Sequence, residues 1–125
     1  MILSPTFNSI AAAFVYGGWA AYANSEHATD VWLRARLVQA ATSFTVTLVI
    51  TLFARWVFLR SGGGRRGVAI GYVCSFCSVT LFSYGAHYIS GTPDIWQTIT
   101  PSMIIGSAYL VSYLLALKAN LKREV

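Results

Sequence analysis

The chain has 125 residues, of which 56% are apolar and only 10% charged, and its formal net charge is +5. Soluble domains carry roughly 25% charged residues, so this composition excludes an ordinary water-soluble domain and points to the membrane. The two cysteines are too few for a disulfide framework. The basic residues gather at the ends of apolar stretches rather than along one face, which sets nucleic acid aside as a partner.

Four apolar stretches, at residues 5–24, 37–59, 68–90 and 95–117, are each near the ~20 residues that span ~30 Å of hydrocarbon as a helix. The expected fold is therefore an all-α membrane protein. A single domain, residues 1–125, would be built from four transmembrane helices in two antiparallel hairpins. The first stretch opens on Ser4 and Pro5, a cap and a first-turn proline. It lacks a basic leader and carries Trp19 and Tyr22 near its end, so it reads as a retained helix rather than a signal peptide. A short polar loop, residues 25–31, leads to the second stretch, which carries Arg36, Gln39, Ser43, Thr47 and Thr51 on one side. Such a stripe should face protein or a hydrated cavity, not lipid.

The run Ser61-Gly62-Gly63-Gly64 breaks the second helix and makes the second and third antiparallel neighbours. At about 100° per residue, the third stretch places Gly67, Gly71, Cys74, Ser78 and Gly85 on one face, a small-residue seam that admits a close neighbour. Cys74 and Cys77 form a Cys-x-x-Cys pair, the working unit of thiol–disulfide chemistry. Membrane disulfide-forming enzymes relay electrons through a second cysteine pair, which this chain lacks, so helix packing is the expected role. Gly91, Thr92, Pro93 and Asp94 should close the third helix and cap the fourth, with Gly91 in the left-handed region. Pro101 should kink the fourth helix. Small residues on the first helix (Ala13, Gly17, Ala21) and the fourth (Ser102, Gly106) are candidate contact surfaces.

Arg60, Arg65, Arg66, Lys118, Lys122 and Arg123 would all lie on one side, while Glu26, Asp30 and Asp94 would lie on the other with Arg34 and Arg36. The positive-inside rule makes the basic side, with both termini, cytoplasmic. This bias argues against the dual-topology insertion of the small multidrug resistance family, and the compact loops suggest a bacterial inner membrane. Trp19, Tyr22, Trp32, Tyr84, Tyr88 and Trp96 would mark the outer interface.

The candidate site is at that outer interface. His27 and Arg34 with Arg36 come from the first hairpin, and His87 and Asp94 from the second, with Gln39 below them. Two arginines can clamp a phosphate bidentately with a histidine as donor. Mutual neutralisation competes, because Asp30 and Arg34 are four apart and Glu26 or Asp94 can meet Arg36. No metal, no cofactor and no catalytic residues are expected: two histidines with nearby carboxylates lack a diagnostic zinc spacing, and no nucleophile–base pair or nucleotide loop occurs. No carboxylate falls near the midplane, where a proton-coupled transporter needs one.

The size, the four stretches and the segment Arg55-Trp56-Val57-Phe58 resemble the GtrA-like family, which implies handling of polyprenyl-phosphate-linked sugars. That family typically has an Asn-Arg pair ahead of the aromatic, where this chain has Phe53 and Ala54, and the fourth stretch does not repeat the motif. The functional expectation is a non-enzymatic membrane protein that binds, and helps translocate, an amphipathic lipid or lipid-linked phosphate. The alternative is an accessory subunit of a larger membrane enzyme or transporter. Four short helices enclose little volume, so a homo-oligomer or a membrane protein partner is expected in either case.

Overall fold

A computed structural model describes residues 5–124, and the expected cap at Ser4 lies outside them. The chain forms four helices: α1 (Pro5–Ala23), α2 (Thr29–Arg60), α3 (Gly64–Ile89) and α4 (Ile95–Glu124). Three of them, α2, α3 and α4, are long and apolar enough to cross a membrane. α1 is not among these: its 19 residues reach only ~28 Å, and Asn8, Ser9, Gly17 and Gly18 dilute its apolar content.

α2 begins at Thr29, eight residues before the apolar run that predicts it. Nothing between Ala28 and Leu37 breaks a helix, and Asp30 in the first turn complements the dipole. Its 32 residues measure ~48 Å, longer than a ~30 Å hydrocarbon layer requires, and Arg34 and Arg36 lie in its first turns. α2 is also the hub. It packs against each of the other three helices, whereas α1 and α3 do not meet among the described residues. The helices thus run around a ring in chain order, with α2 and α4 touching across it.

Glycine sets both well-defined helix ends of the central hairpins. At the end of α2, Gly62 has φ +88°, its N–H donates to the Leu59 carbonyl at 3.2 Å, and the Gly63 N–H donates to Phe58 at 3.0 Å. At the end of α3, Gly91 has φ +75°, its N–H reaches Tyr88 at 3.2 Å, and Thr92 N–H reaches His87 at 3.0 Å. Both are Schellman caps that satisfy otherwise orphaned carbonyls. Thr92 does not cap α4 with its side chain, as the sequence suggests, because its hydroxyl is drawn to His87.

One end of the bundle is dry and tightly packed. Phe58, Ala54, Leu110 and Leu114 form its core, flanked by Tyr72, Leu117 and Leu121. Gly67 and Gly71 let α3 approach: a β-carbon on Gly67 would sit 2.9 Å from the Phe58 carbonyl oxygen, and one on Gly71 would sit 3.2 Å from Leu114. The small-residue seam of α3 then continues differently from expectation. Ser75, Ser83 and His87 are the buried positions, while Cys74 is half-buried, Ser78 is exposed and Gly85 faces open space. The reason is that α3 keeps one row, with steps of four residues, against its neighbours. Arg60, Arg65, Arg66, Lys118 and Lys122 surround this basic end.

The opposite, hairpin end is held by polar contacts. Pro101 has no N–H, which frees the Gln97 carbonyl four residues back. The Trp19 indole N–H donates to that carbonyl at 2.7 Å. Beside it Asn24, fully buried, donates to Thr98 Oγ1 at 2.7 Å and to the Ala20 carbonyl at 2.8 Å, and its Oδ1 accepts from the Asp94 N–H at 3.2 Å. These bonds pin α1 to α4. Large apolar side chains point outward along the whole bundle, among them Phe14, Leu52, Leu81 and Ile89, which suits a lipid solvent and would make a large sticky patch in water.

Gly67→Val should lower the thermal midpoint of the detergent-solubilised protein by the equivalent of about 1–3 kcal/mol. Gly85→Ala, placed in open space, should leave it unchanged or raise it by up to ~1 kcal/mol. Equal losses from both would mean that the α2–α3 approach is not where Gly67 places it.

Candidate functional site

The sequence-derived constellation separates into an exposed ring and a buried network. On the exposed side His27 Nε2 meets Asp94 Oδ2 at 2.8 Å, which joins the two hairpin loops. Arg34 donates to the Ser90 carbonyl at 3.1 Å and lies 3.7 Å from Asp30. Asp94 therefore pairs with His27 and not with Arg36. Arg36 is exposed and has no ion pair or side-chain hydrogen bond among the described residues. Two residues apart on one helix, Arg34 and Arg36 point about 200° away from each other. They do not converge on one anion, so the bidentate clamp expected from their proximity in sequence is not assembled within one chain.

His87 belongs to a different environment from His27. It is fully buried on the last turn of α3. Its Nε2 donates to Gln39 Oε1 at 2.6 Å, and Nδ1 takes the Thr92 hydroxyl at 2.8 Å, so a neutral ring with its proton on Nε2 satisfies both partners. Gln39, 1% exposed, donates from Nε2 to Ser43 Oγ at 3.1 Å and to Ser102 Oγ at 3.3 Å. The network thus ties α2, α3, α4 and the α3–α4 loop together. Polar groups this deep in a membrane protein must find internal partners, and here the caps and the side chains supply them jointly.

Below the network lies a cavity of about 340 Å³, within the range of small-molecule sites. The polar stripe of α2 faces it through Gln39, Ser43 and Thr47, whereas Arg36 lies outside. Ser102 and Gly106 of α4 also line it, with Ser102 half-buried and Gly106 exposed at its rim. Gly17 of α1 packs inside the chain, with space for a β-carbon only 3.1 Å from Ala40 Cβ. Val46, Ile50, Val79, Met103 and Leu110 supply apolar wall, and Asn8, Thr42, Ser83 and Ser107 add further polar positions. No charged side chain lines the cavity among the described residues.

Three features escape sequence reasoning. Asn24 and Thr98 carry no motif, and their pairing appears only when α1 and α4 meet. Ser83 is a cavity residue because of the phase of α3. Trp19 reads as an interface anchor, although the carbonyl freed by Pro101 is a signal that some donor must reach position 97. Cys74 and Cys77 are free thiols outside the cavity wall, and no group of three His, Cys, Asp or Glu residues gathers among the described residues. In the Arg55–Phe58 segment, Trp56 is exposed, stacks on Phe53 and carries the Arg60 guanidinium 5.6 Å above its ring, a membrane-interface arrangement. The chain matches no known family model, no curated protein and no solved structure.

Gln39→Leu and His87→Leu should each destabilise the fold by about 1–3 kcal/mol, because each leaves a buried partner unsatisfied. The double variant should cost little more than either single one; additive losses measured by thermal unfolding would show that the two side chains do not depend on each other. Trp19→Phe should cost about 0.6–2 kcal/mol. In a Pro101→Ala background, where a backbone N–H at position 101 takes the Gln97 carbonyl, that cost should shrink, and an unchanged cost would remove the proposed pairing.

Proposed function

We propose that the chain is a non-enzymatic integral membrane protein that binds an amphipathic lipid, with the polar end of the lipid toward the hairpin end of the bundle and its apolar chain in the cavity. In this reading α1 is a fourth span, shorter than the others, and the hairpin end faces outward. The basic end, with both termini, faces the cytoplasm, as the clustering of Arg60, Arg65, Arg66, Lys118 and Lys122 favours. A bacterial inner membrane suits this arrangement.

The observation that carries the reading is a cavity of about 340 Å³ whose wall surface is mostly apolar and whose polar residues include Gln39, Ser43 and Ser102 on a shared network. A packed bundle whose only task is to span a membrane has no use for such a void, since each lost contact weakens packing. A lipid chain replaces those contacts. The polar groups then give its head a place to rest below the membrane surface, which is what a protein that moves lipid between leaflets requires.

Gly106 gives a direct test, because it lines the cavity and nothing lies within 4 Å of a β-carbon built there. Gly106→Phe should fill the space and abolish lipid retained through purification, read by native mass spectrometry, while the thermal midpoint is held or raised. Gly18→Phe, which also enters open space but outside the cavity, should retain lipid. Equal lipid retention by both variants would reject the reading. A second polypeptide in fixed stoichiometry, with no retained lipid, would replace it with an accessory-subunit role.

A further inference from the structure

The cavity restricts the chemistry of its occupant further than the lipid-binding reading on which this inference rests. Its wall holds no charged side chain among the described residues, and an unpaired phosphate there would carry a desolvation cost that no cation offsets. Arg34 does not offer itself, because it engages the Ser90 carbonyl and Asp30 outside the cavity.

The wall does hold unused hydrogen-bonding capacity. Ser83 is 6% exposed, lines the cavity and makes no side-chain hydrogen bond among the described residues. Ser43, 7% exposed, receives the Gln39 amide but donates to nothing. Thr47, one turn below Ser43 on the same stripe, also lines the cavity with an unengaged hydroxyl. Other hydroxyls here show the contrast: Thr42 returns its proton to the Gln39 carbonyl at 3.1 Å and Ser102 returns its own to Ile99 at 2.8 Å. Buried hydroxyls in apolar surroundings normally find an acceptor, so Ser43 and Ser83 are donors with capacity to spare, and half-buried Thr47 adds a third.

The cavity also has a side entrance. At the hairpin end Trp19 and Asn24 bond to α4 and close the cavity there. Further toward the basic end Ala12 and Tyr16 of α1 line the cavity together with Ile105 and Tyr109 of α4, and the last two are 56% and 48% exposed. The space therefore opens between α1 and α4 onto the lipid, and a tail longer than the cavity can leave through that gap.

We infer that the cavity binds an uncharged, single-chain amphiphile whose polar end carries hydroxyl or carbonyl oxygens, held by the hydroxyls of Ser43, Ser83 and Thr47, with its tail passing between α1 and α4. Monooleoylglycerol and monooleoyl lysophosphatidic acid separate this class from its charged counterpart, because they share tail and glycerol and differ by one phosphate. Binding of each is read by native mass spectrometry of the full-length protein in the same detergent.

Monooleoylglycerol should bind, and lysophosphatidic acid should bind at least about tenfold more weakly. Ser43→Ala combined with Ser83→Ala should weaken monooleoylglycerol about tenfold or more, the loss expected for one to two hydrogen bonds, with the helical circular dichroism retained because Gln39 keeps Ser102 as an acceptor. Equal or tighter binding of lysophosphatidic acid, lost in Arg34→Gln with Arg36→Gln, would overturn the uncharged class while leaving lipid binding intact. Binding of neither amphiphile, with a cavity that holds water only, would overturn both. Monooleoylglycerol bound equally by the wild type and by the double serine variant would overturn the assigned hydroxyls.

Discussion

The bond from His87 to Gln39 is the contact on which the hairpin end of this bundle depends. It joins the last turn of α3 to the third turn of α2, where both side chains are buried and cannot turn to water. Three further contacts follow from satisfying these two residues. Thr92 is pulled from a capping role to the far side of the imidazole, and the Gln39 amide draws in Ser43 and Ser102. Because unpaired polar groups are costly in hydrocarbon, the network acts as a single unit rather than as separate weak bonds.

The two ends of the bundle are joined by different physics. At the basic end, shape decides: Gly67 and Gly71 bring α3 onto Phe58 and Leu114, and the packing there is dry. At the hairpin end, donors and acceptors decide, through Asn24, Trp19, Gln39 and His87. Neither device governs the middle. Small and hydroxyl-bearing residues, including Ser43, Thr47, Ser83 and Gly106, occupy the positions where large apolar side chains would have filled the space. The cavity is thus the consequence of two well-anchored ends separated by a stretch of deliberately small side chains.

The charged residues at the hairpin surface have a more local role. His27 with Asp94 and Arg34 with Ser90 both cross between the first and second hairpins, so they fasten the loops over the network below. Exposed pairs of this kind contribute little individually. Arg36 stands apart as an exposed cation without an ion-pair partner among the described residues, about one turn before Gln39 on α2.

The membrane class, the helix order, the glycine-rich break at 61–64 and the left-handed cap at Gly91 follow from sequence, because hydrophobic length and glycine conformation are local properties. The polar stripe of Gln39, Ser43 and Thr47 was legible for the same reason, since it repeats along a single helix. What the stripe faces was not. Whether Ser83 or Gly85 lines the interior, whether Asp94 meets His27 or Arg36, and whether two histidines share a site all depend on helix phase and on partners far apart in the chain. A composition can require that buried polar groups be paired. Only the tertiary structure decides which group pairs with which, because that choice is made by the close approach of helices whose contacts lie dozens of residues apart.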